Sequence, residues 1–271
     1  HYAPNTILYD LVGQVSTWLV VSKRRSSLLL SMSLGSERYE HDVRYLVKFV
    51  KEEAWADDLL NGCLFMNAAG FYASKEKGQG DDREGAIANT GVFRNIDRPI
   101  YCMYSVYLSD VIDDGFDVPM QVIEDFGCSD GFAVVLRFDE FDKALRTLET
   151  DGYGLEAGLV SYGCVLKKDA PALFGMGQNI PLFIKRPEYQ HQKEYRIVVG
   201  KSLTRRTHMR DLDGEMVPFI DEEQPFEAIR YRFPSDLRAF AKKVPMRPIE
   251  LRDDFCHFDL SEFGMECSNI L

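Results

Sequence analysis

The sequence lacks the short motifs that mark the common nucleotide-binding and hydrolytic sites. It has no G-x-x-x-x-G-K-[ST] phosphate-binding loop and no G-x-G-x-x-G dinucleotide-binding fingerprint. The H-E-x-x-H zinc motif and the G-x-S-x-G nucleophile elbow are also missing. The histidines stand apart from one another, at positions 1, 41, 191, 208 and 257, so a metal site built from a histidine cluster has no support.

Cysteines are few, and none are paired. None of the six forms a C-x-x-C pair, and no histidine lies at zinc-finger spacing from any of them. Several lie inside apolar runs, and a disulfide scaffold is not expected in a chain of 271 residues. We expect buried free thiols in a reducing cytosol at Cys63, Cys102, Cys128, Cys164, Cys256 and Cys267.

Long hydrophobic runs are missing as well. The two longest near the N-terminus, LVGQVSTWLVV and LLLSMSL, are separated by SKRRSS, and each is shorter than the roughly 20 residues that a membrane span needs. A signal peptide carries its positive charge before its apolar core, whereas here the first apolar run precedes the basic one. We therefore expect a cytoplasmic protein with no membrane partner.

The chain has fewer basic than acidic residues. The formal net charge is -11 at pH 7, from 32 Lys and Arg against 43 Asp and Glu. An acidic surface repels nucleic-acid phosphates and anionic lipids unless a local basic patch reverses the field. DNA binding as the main function is therefore disfavoured, whereas contact with nucleic acid at one local cleft stays compatible with the composition.

The elements that the sequence does contain alternate irregularly. Hydrophobic residues make up 45% of the chain, which is enough for one large domain or a domain with an appendage. Strand-like runs outnumber helix-like runs without forming a regular βαβ array, so we predict an α+β fold with a mixed or antiparallel split sheet and flanking helices. The predicted strands are 44–50, 63–67, 98–108, 131–138, 158–166, 180–185, 194–200 and 227–233, and the predicted helices are 51–62, 120–127, 139–150 (capped by Asp139) and 234–244 (capped by Ser235).

The N-terminal pattern sets residues 1–40 apart from residues 41–271. Apolar residues, Trp18 among them, recur at helical spacing from Ile7 to Leu19. We predict a helical segment that docks on its own domain, and docking on a partner protein is the alternative. Residues 41–271 are predicted to form a single α+β domain of catalytic type.

The run RPEYQHQKEYRIVVG places polar residues at alternate positions where a strand begins. Because every second side chain of a strand lies on the same face, Gln192, Glu194 and Arg196 are predicted to point together, away from Lys193. Three polar groups at the start of a buried strand form either a solvated rim or one wall of a site.

Two candidate constellations lie upstream. Lys48 ends a predicted strand just before a helix, where a cation either holds an anion in a cleft or is solvated. The segment GQGDDREG carries Asp81, Asp82 and Glu84 between glycines. Loops of this composition bind metal ions or nucleotide riboses, or are simply solvated turns, and the sequence leaves both interpretations open.

QKEYRIVV resembles the third motif of ADP-ribosyltransferases, a [Gln/Glu]-x-Glu tripeptide followed by an apolar strand. The resemblance implies that Glu194 grips the nicotinamide ribose of NAD and that Gln192 selects and orients the target nucleophile. Breaking the nicotinamide–ribose bond develops positive charge on the ribose, and a carboxylate against its hydroxyls favours that state. Arg196 would hold Glu194 in orientation or contact a phosphate.

The other two motifs of that family have counterparts upstream. The family carries a cation or a histidine on its first core strand, where this chain has Lys48 or Arg44. Its second motif is Ser-Thr-Ser or a tyrosine, and the counterpart here is FMNAAGFY, with Asn67 and Tyr72 and no Ser-Thr-Ser. The resemblance implies that NAD binds at Lys48, Asn67, Tyr72 and Arg196.

The stretch from Arg44 to Gly200 also resembles a group of uncharacterised bacterial proteins, some of them found near phage-defence genes. This resemblance implies a shared fold and suggests toxins that modify nucleic acid or protein. The segments that carry it are Leu46–Phe49 (LVKF), Leu64–Asn67 (LFMN), Gly80–Gly85 (GDDREG), Gly131–Leu136 (GFAVVL) and Phe183–Arg196.

The leading hypothesis is an NAD-dependent ADP-ribosyltransferase of toxin or phage-defence type, with Glu194 and Gln192 as catalytic residues. Its substrate is NAD, its acceptor is a nucleic acid or a protein, and an antitoxin or chaperone is a candidate partner. Two alternatives stay open. One is a non-enzymatic partner-binding or ligand-sensing protein of a defence system. The other is a metal-dependent nuclease that uses Asp81, Asp82 and Glu194.

Overall fold

The computed structural model describes most of the chain after residue 41. The predicted N-terminal segment, with Trp18, and the acidic loop, with Asp81, Asp82 and Glu84, lie outside the described residues. The ranges described are 42–73, 96–112, 115–163, 179–203, 206–210, 216–220, 227–246, 251–252 and 254–261.

Strands dominate the described residues. They are β1 (Val43–Val50), β2 (Cys63–Ala68), β3 (Pro99–Tyr107), β4 (Val111–Ile112), β5 (Gly115–Pro119), β6 (Phe132–Arg137), β7 (Leu155–Leu159), β8 (Ser161–Tyr162), β9 (Ile184–Lys185), β10 (Glu194–Val199), β11 (Arg206–Arg210), β12 (Met216–Ile220), β13 (Ile229–Arg232), β14 (Ala241–Pro245), β15 (Leu251–Arg252) and β16 (Phe255–Asp259). The helices are α1 (Glu53–Leu60), α2 (Ala69–Ala73), α3 (Met120–Asp125) and α4 (Phe138–Leu145). The coarse prediction of an α+β fold with mostly antiparallel strands is confirmed.

Two strands share one edge of β3, the central strand of the largest sheet. Tyr104 of β3 lies between Val47 of β1 and the start of β10. Ile100, at the other end of β3, lies between Asn67 of β2 and the end of β10. Since β10 occupies one edge at both positions, β1 and β2 must both pair with the opposite edge. They pair with its two ends, and we call the gap between them the split.

The remaining strands extend this sheet on both sides of the split. The order is β13-β2-β3-β1-β6-β14, with β10 on the other edge of β3 and β7 beyond it. A second sheet has the order β15-β16-β5-β4, and two separate pairs, β11–β12 and β8–β9, complete the pairing of the described strands. The β8–β9 pair is parallel.

One face of the large sheet, here called the helix-covered face, packs against α1 and α4. Its core includes Leu46 of β1, Leu64 of β2 and Ile197 of β10, together with Leu59 of α1 and Phe141 of α4, each at most 1% exposed. The buried positions of α4 recur at helical spacing, so that the helix presents one apolar stripe to the sheet. Burying a large apolar side chain stabilises the fold by about 1.5–3 kcal/mol.

The opposite face is here called the charged face, and it changes character along the sheet. Near β1 it is apolar, because Tyr45 stacks on Phe116 of the second sheet and Phe116 stacks on Phe258 at a ring-centroid distance of 5.0 Å. Near β10 the same face carries the buried charges of Glu194 and Arg196. Glu194 and Arg196 therefore lie on this face, whereas Lys48, two residues after Leu46 on β1, belongs to the helix-covered face.

The turn after α1 requires the glycine that the sequence predicted as a helix stop. Gly62 has a φ of +77°, a left-handed conformation that favours glycine. A Cβ at this position would also lie 2.7 Å from the backbone oxygen of Ser235. The end of α1 and the chain before β14 are thus packed against each other at this glycine.

Several predicted elements were wrong. Residues 241–245 form strand β14 on the edge of β6, where pairing overrides the helical propensity of the AFAKKV stretch, so Ser235 caps no helix. Residues 180–185 form a 3₁₀ turn followed by the two-residue strand β9, and residues 158–166 do not form one strand because β7 ends at Leu159. α4 begins at Phe138 without a side-chain cap, so Asp139 does not cap it. The predicted loop after β2 begins with helix α2.

The described cysteines are free thiols, and burial makes Cys128 and Cys256 poor nucleophiles. Burial raises the pKa of Cys128 to about 11 and that of Cys256 to about 12, so both stay protonated at neutral pH. Cys63 and Cys102 are free as well. None of the described helices combines the length and the apolar character that crossing a bilayer requires.

Candidate functional site

The start of β10 is held by a tight turn. A 3₁₀ turn over Pro187–Gln192 begins with a proline, whose fixed φ suits the first turn of a helix. Lys193 ends the turn in the left-handed conformation, with a φ of 40°. Its carbonyl accepts a hydrogen bond from the N–H of Ser105 at 2.9 Å, and its ammonium pairs with Asp110 at 2.9 Å. These contacts fix the position at which the next residue enters the sheet.

The carboxylate of Glu194 lies between two cations. Its Oε1 accepts a hydrogen bond from Lys185 Nζ, and its Oε2 accepts one from Arg196 Nη2, each at 2.5 Å. Arg196 Nη1 donates to the carbonyl of Leu182. All three charged side chains are buried: Glu194 is 2% exposed, Lys185 is 7% exposed and Arg196 is 1% exposed. We call them the ion triad.

The ion triad keeps Glu194 negatively charged. Burial alone would raise the pKa of the carboxyl group, because desolvation penalises the charged form. The positive charges of Lys185 and Arg196, with their hydrogen bonds, outweigh burial and hold the pKa of Glu194 well below its usual range. The carboxylate is therefore ionised at neutral pH.

Gln192 lies beside Glu194, and the prediction that Gln192, Glu194 and Arg196 point together is confirmed. Lys185 Nζ donates to Gln192 Oε1 at 2.7 Å as well as to Glu194. Gln192 Nε2 donates to Asp125 Oδ2 at 3.0 Å, so α3 holds the other end of the amide. Gln192 is 3% exposed and its amide is bonded at both ends.

His191 belongs to the support of this site. Its Nε2 lies 2.6 Å from Asp125 Oδ2, the oxygen that also accepts from Gln192, and its Nδ1 lies 3.0 Å from the carbonyl oxygen of Glu188. Both ring nitrogens are thus taken by oxygen partners. The side chain orients Asp125, which in turn orients Gln192.

The buried phenol of Tyr162 fixes the backbone of Glu194. The N–H of Glu194 donates to the Oη of Tyr162 at 2.7 Å. Burial, followed by the charge of Glu194, raises the pKa of Tyr162 well above its usual value, so the phenol stays neutral. Tyr162 is on β8, which pairs with β9 and so places Lys185 and Tyr162 in direct register. The short parallel pair therefore supplies two of the contacts that surround Glu194.

Lys48 lies at the split. Its ammonium donates to the carbonyl of Cys102 at 2.9 Å and lies 4.4 Å from the centre of the Tyr101 ring. Burial lowers the pKa of Lys48, while Cys102, Cys128 and Glu194 oppose that shift. A cavity beside Lys48 holds about 10 Å³, room for about one water molecule. Lys48 is therefore a cation of the first strand on which the charge of Glu194 acts.

Tyr72 and Asn67 reach the same neighbourhood from the other side of the split. The Asn67 side chain forms a hydrogen bond with the Tyr72 phenol. Burial, followed by the influence of Cys102, raises the pKa of Tyr72, and the charges of Arg196 and Glu194 act on it as well. Asn67 lies on β2 and Tyr72 on α2, which follows β2 directly.

The structure joins Gln192, Glu194 and Arg196 by direct bonds or through Lys185, and the charge of Glu194 acts on Lys48 and on Tyr72, the partner of Asn67. The sequence analysis missed two residues that contact them, Lys185 and Asp125. A lysine at the end of the apolar run IPLFIK was the available signal for Lys185, because a charge that ends a buried segment needs a partner. No sequence signal marked Asp125, which lies on a short helix far from β10 along the chain.

The part of the chain that the structure describes holds no group of three His, Cys, Asp or Glu side chains arranged to bind a metal ion. The acidic loop, with Asp81 and Asp82, is outside that part. Comparisons of the chain with protein-family models, with curated proteins and with solved structures find no match.

Proposed function

We propose that the protein is an NAD-dependent ADP-ribosyltransferase of toxin or phage-defence type that modifies a nucleic acid or protein acceptor. The observation that supports this most is the buried carboxylate of Glu194 at the start of β10, next to Gln192 and Arg196, whose charge acts on Lys48 at the split and on Tyr72. The sequence nominated these residues through their resemblance to ADP-ribosyltransferase motifs. An unrelated surface row at β10 would not be expected to lie near Lys48 and Tyr72.

The chemistry proposed for Glu194 follows from its charge. In the reaction, the bond between the ribose C1′ and the nicotinamide nitrogen breaks, and nicotinamide leaves as a neutral molecule with the bonding electron pair. The acceptor atom then bonds to C1′ and releases its proton to water. Positive charge develops on the ribose between these events, and an ionised carboxylate held in place beforehand stabilises that charge without reorganisation. The depressed pKa of Glu194 supplies the ionised form.

The other residues fit the parts of NAD by type. Gln192 offers an amide next to the carboxylate, where an acceptor nucleophile would be oriented. Tyr72 and Asn67 offer an apolar ring and a polar amide for the nicotinamide end. Lys48 and Arg196 are the cations available for the pyrophosphate.

Substrate entry requires one exchange. Lys185 bonds the carboxylate oxygen Oε1 of Glu194, and Glu194 is only 2% exposed. A ribose hydroxyl that bonds Oε1 has to compete with the Lys185 ammonium. We therefore propose that NAD binding displaces Lys185 from Glu194.

Nicotinamide release from NAD by the purified chain tests the function. Glu194→Asp keeps the negative charge of the ion triad but withdraws the carboxylate by one methylene, and we expect a rate at least about 100-fold lower. The matched control is Glu156→Gln on the neighbouring strand β7, which removes an exposed carboxylate bonded to Asn179. This control is expected to keep the rate of the unmodified chain.

Two results would overturn the proposal. One is the absence of NAD binding by calorimetry at millimolar concentration together with no release of nicotinamide. The other is Glu194→Asp at full rate, because a ribose-gripping carboxylate does not tolerate a displacement of that size. Thermal unfolding of both variants shows whether the folded state is retained.

A second candidate, a non-enzymatic partner-binding protein, is favoured by one observation. Both oxygens of Glu194 are bonded by cations that are themselves buried, which is the arrangement of an ion triad that fixes the packing of three segments. This candidate predicts no NAD binding together with tight binding of a neighbouring gene's product. The calorimetric titration with NAD separates the two candidates.

A further inference from the structure

An exposed aromatic and basic surface lies on β2 and β13. Phe65 of β2 is 44% exposed, which is high for a phenylalanine in the interior of a strand. Arg230 pairs directly across from it on β13, and the guanidinium lies 5.3 Å from the centre of the phenyl ring. Arg232 is exposed two residues further along and faces Cys63. We call Phe65, Arg230 and Arg232 the stacking surface.

The stacking surface continues into the candidate site. Residues two apart on a strand lie on the same face, so Phe65 and Asn67 share one face of β2. Asn67 in turn bonds the Tyr72 phenol, on whose pKa the charges of Arg196 and Glu194 act. Phe71 on α2 adds a second ring, 37% exposed and 5.6 Å from the Tyr72 ring. A molecule lying across Phe65 can therefore reach the rim of the site without leaving this face.

The stacking surface has a charge opposite to that of the chain as a whole. The net charge of the chain is -11, yet within the described residues neither Arg230 nor Arg232 forms an ion pair. Both side chains are exposed. An exposed ring with an arginine over it is the combination by which proteins hold an unpaired base and its phosphate.

We infer that the stacking surface holds a single-stranded nucleic acid and that this strand is the acceptor of the reaction. An unpaired base stacks on Phe65, and Arg230 and Arg232 bind the flanking phosphates. The inference rests on the proposed function, and it selects nucleic acid over protein as the class of acceptor. The strand would run from the stacking surface past Asn67, with the modified nucleotide at Gln192 and Glu194.

Binding of fluorescein-labelled oligonucleotides to the full chain, followed by fluorescence anisotropy without NAD, tests the inference. Oligomers of U and of dT of about 12 nucleotides fit the site sizes usual for such surfaces. The variants are Phe65→Ala and the double variant Arg230→Ala/Arg232→Ala. The matched controls are Trp55→Ala, an exposed aromatic on α1, and Lys143→Ala/Arg146→Ala, an exposed cation on α4 and one directly after it.

We expect Phe65→Ala to weaken binding at least about fivefold, since stacking of one base is lost. The double arginine variant should weaken binding and make the slope of log K against log salt shallower by about 1.4, which corresponds to two phosphate contacts on a single strand. Both controls should bind as the unmodified chain does. Equal losses in the variants and their controls would overturn the inference, because they would show binding by charge alone.

The two proposals fail in different ways. A preparation that releases nicotinamide from NAD but binds neither oligomer at 0.1 mM, a concentration at which even non-specific nucleic-acid binding is about half saturated, overturns the acceptor inference and leaves the enzyme. A protein labelled by the chain with NAD in a Phe65-dependent way, without oligomer binding, overturns it as well. Oligomer binding that depends on Phe65 without any nicotinamide release supports the surface and overturns the enzyme.

Discussion

The two faces of the large sheet are built from the same strands, yet they differ in what they bury. On the helix-covered face, β1, β2, β3 and β10 contribute apolar side chains packed against α1 and α4. On the charged face, β10 contributes Glu194 and Arg196, which are as deeply buried as the apolar core. Apolar packing stabilises the fold wherever shapes match, whereas a buried charge requires specific partners. The charged face is therefore the one on which a site is expected.

Truncating the helix-covered face should give the largest effect and should separate stability from chemistry. Phe141 of α4 is fully buried, so Phe141→Ala is expected to lower the free energy of unfolding by about 3–5 kcal/mol. Urea unfolding measures the loss. The nicotinamide-release rate per folded molecule should not change, and a change of tenfold or more would show that the two faces are not independent.

Breaking the ion triad should come next. Glu194→Gln leaves Lys185 and Arg196 buried without a negative partner, and we expect a loss of about 3 kcal/mol. Lys185→Met in the same background removes one of the unpaired cations, so the double variant should be more stable than the sum of the two single losses predicts. Urea unfolding of the unmodified chain, the two single variants and the double variant measures the coupling between the two positions. Strict additivity would mean that the triad carries no coupling.

The pH dependence of stability sharpens the same comparison. The folded-state pKa of Glu194 lies below its ordinary value of 4.5, so the unfolded state binds more protons in acid. The stability contributed by Glu194 is complete above the ordinary pKa and is lost as the pH falls through it towards the folded-state value. Urea unfolding between about pH 7 and pH 3 should show a steeper fall for the unmodified chain than for Glu194→Gln. Parallel curves would contradict this.

Neutralising the cation at the split should have the smallest effect on stability. Lys48→Met loses the hydrogen bond to Cys102 but also removes a buried charge, and these two changes oppose each other. If Lys48 binds the pyrophosphate of NAD, the KM for NAD should rise about 10- to 100-fold, the value of a charge-assisted hydrogen bond. Lys51→Met, three residues further on and exposed, is the matched control. An unchanged KM would remove Lys48 from the site.

The elements predicted best are those whose sequence pattern agrees with their packing. β1, α1, β2, β3 and β10 all fall within a residue or two of their predicted ranges, because each has apolar residues at the period of its own structure. The helix prediction for 234–244 failed because the alanines and lysines there favour a helix locally, whereas the open edge of β6 pairs residues 241–245 as strand β14. The local sequence pattern of this stretch gives no information on where the edge of β6 lies in the folded chain.

The candidate site could be predicted only in part. Glu194 and Arg196 share one face of β10, so the alternation of a strand is enough to bring them together, whereas Gln192 ends the preceding 3₁₀ turn and joins them through Lys185. Lys185 sits on a two-residue strand that is held by a parallel partner, and no periodicity can be read from two residues. The bond between Lys185 and Oε1 of Glu194 could therefore be identified only from the folded structure.

The sharing of one edge of β3 by β1 and β2 also fixes when the site can form during synthesis of the chain. β1, β2 and β3 can pair once β3 has left the ribosome, but the opposite edge of β3 must wait for β10. Pairing between strands so distant along the chain is slow, because a long loop has to close first. Until then the charge of Glu194 cannot act on Lys48 and Tyr72. A nascent chain that stops before β10 would accordingly expose the edge of β3 and would have no ion triad, so it would lack the proposed activity.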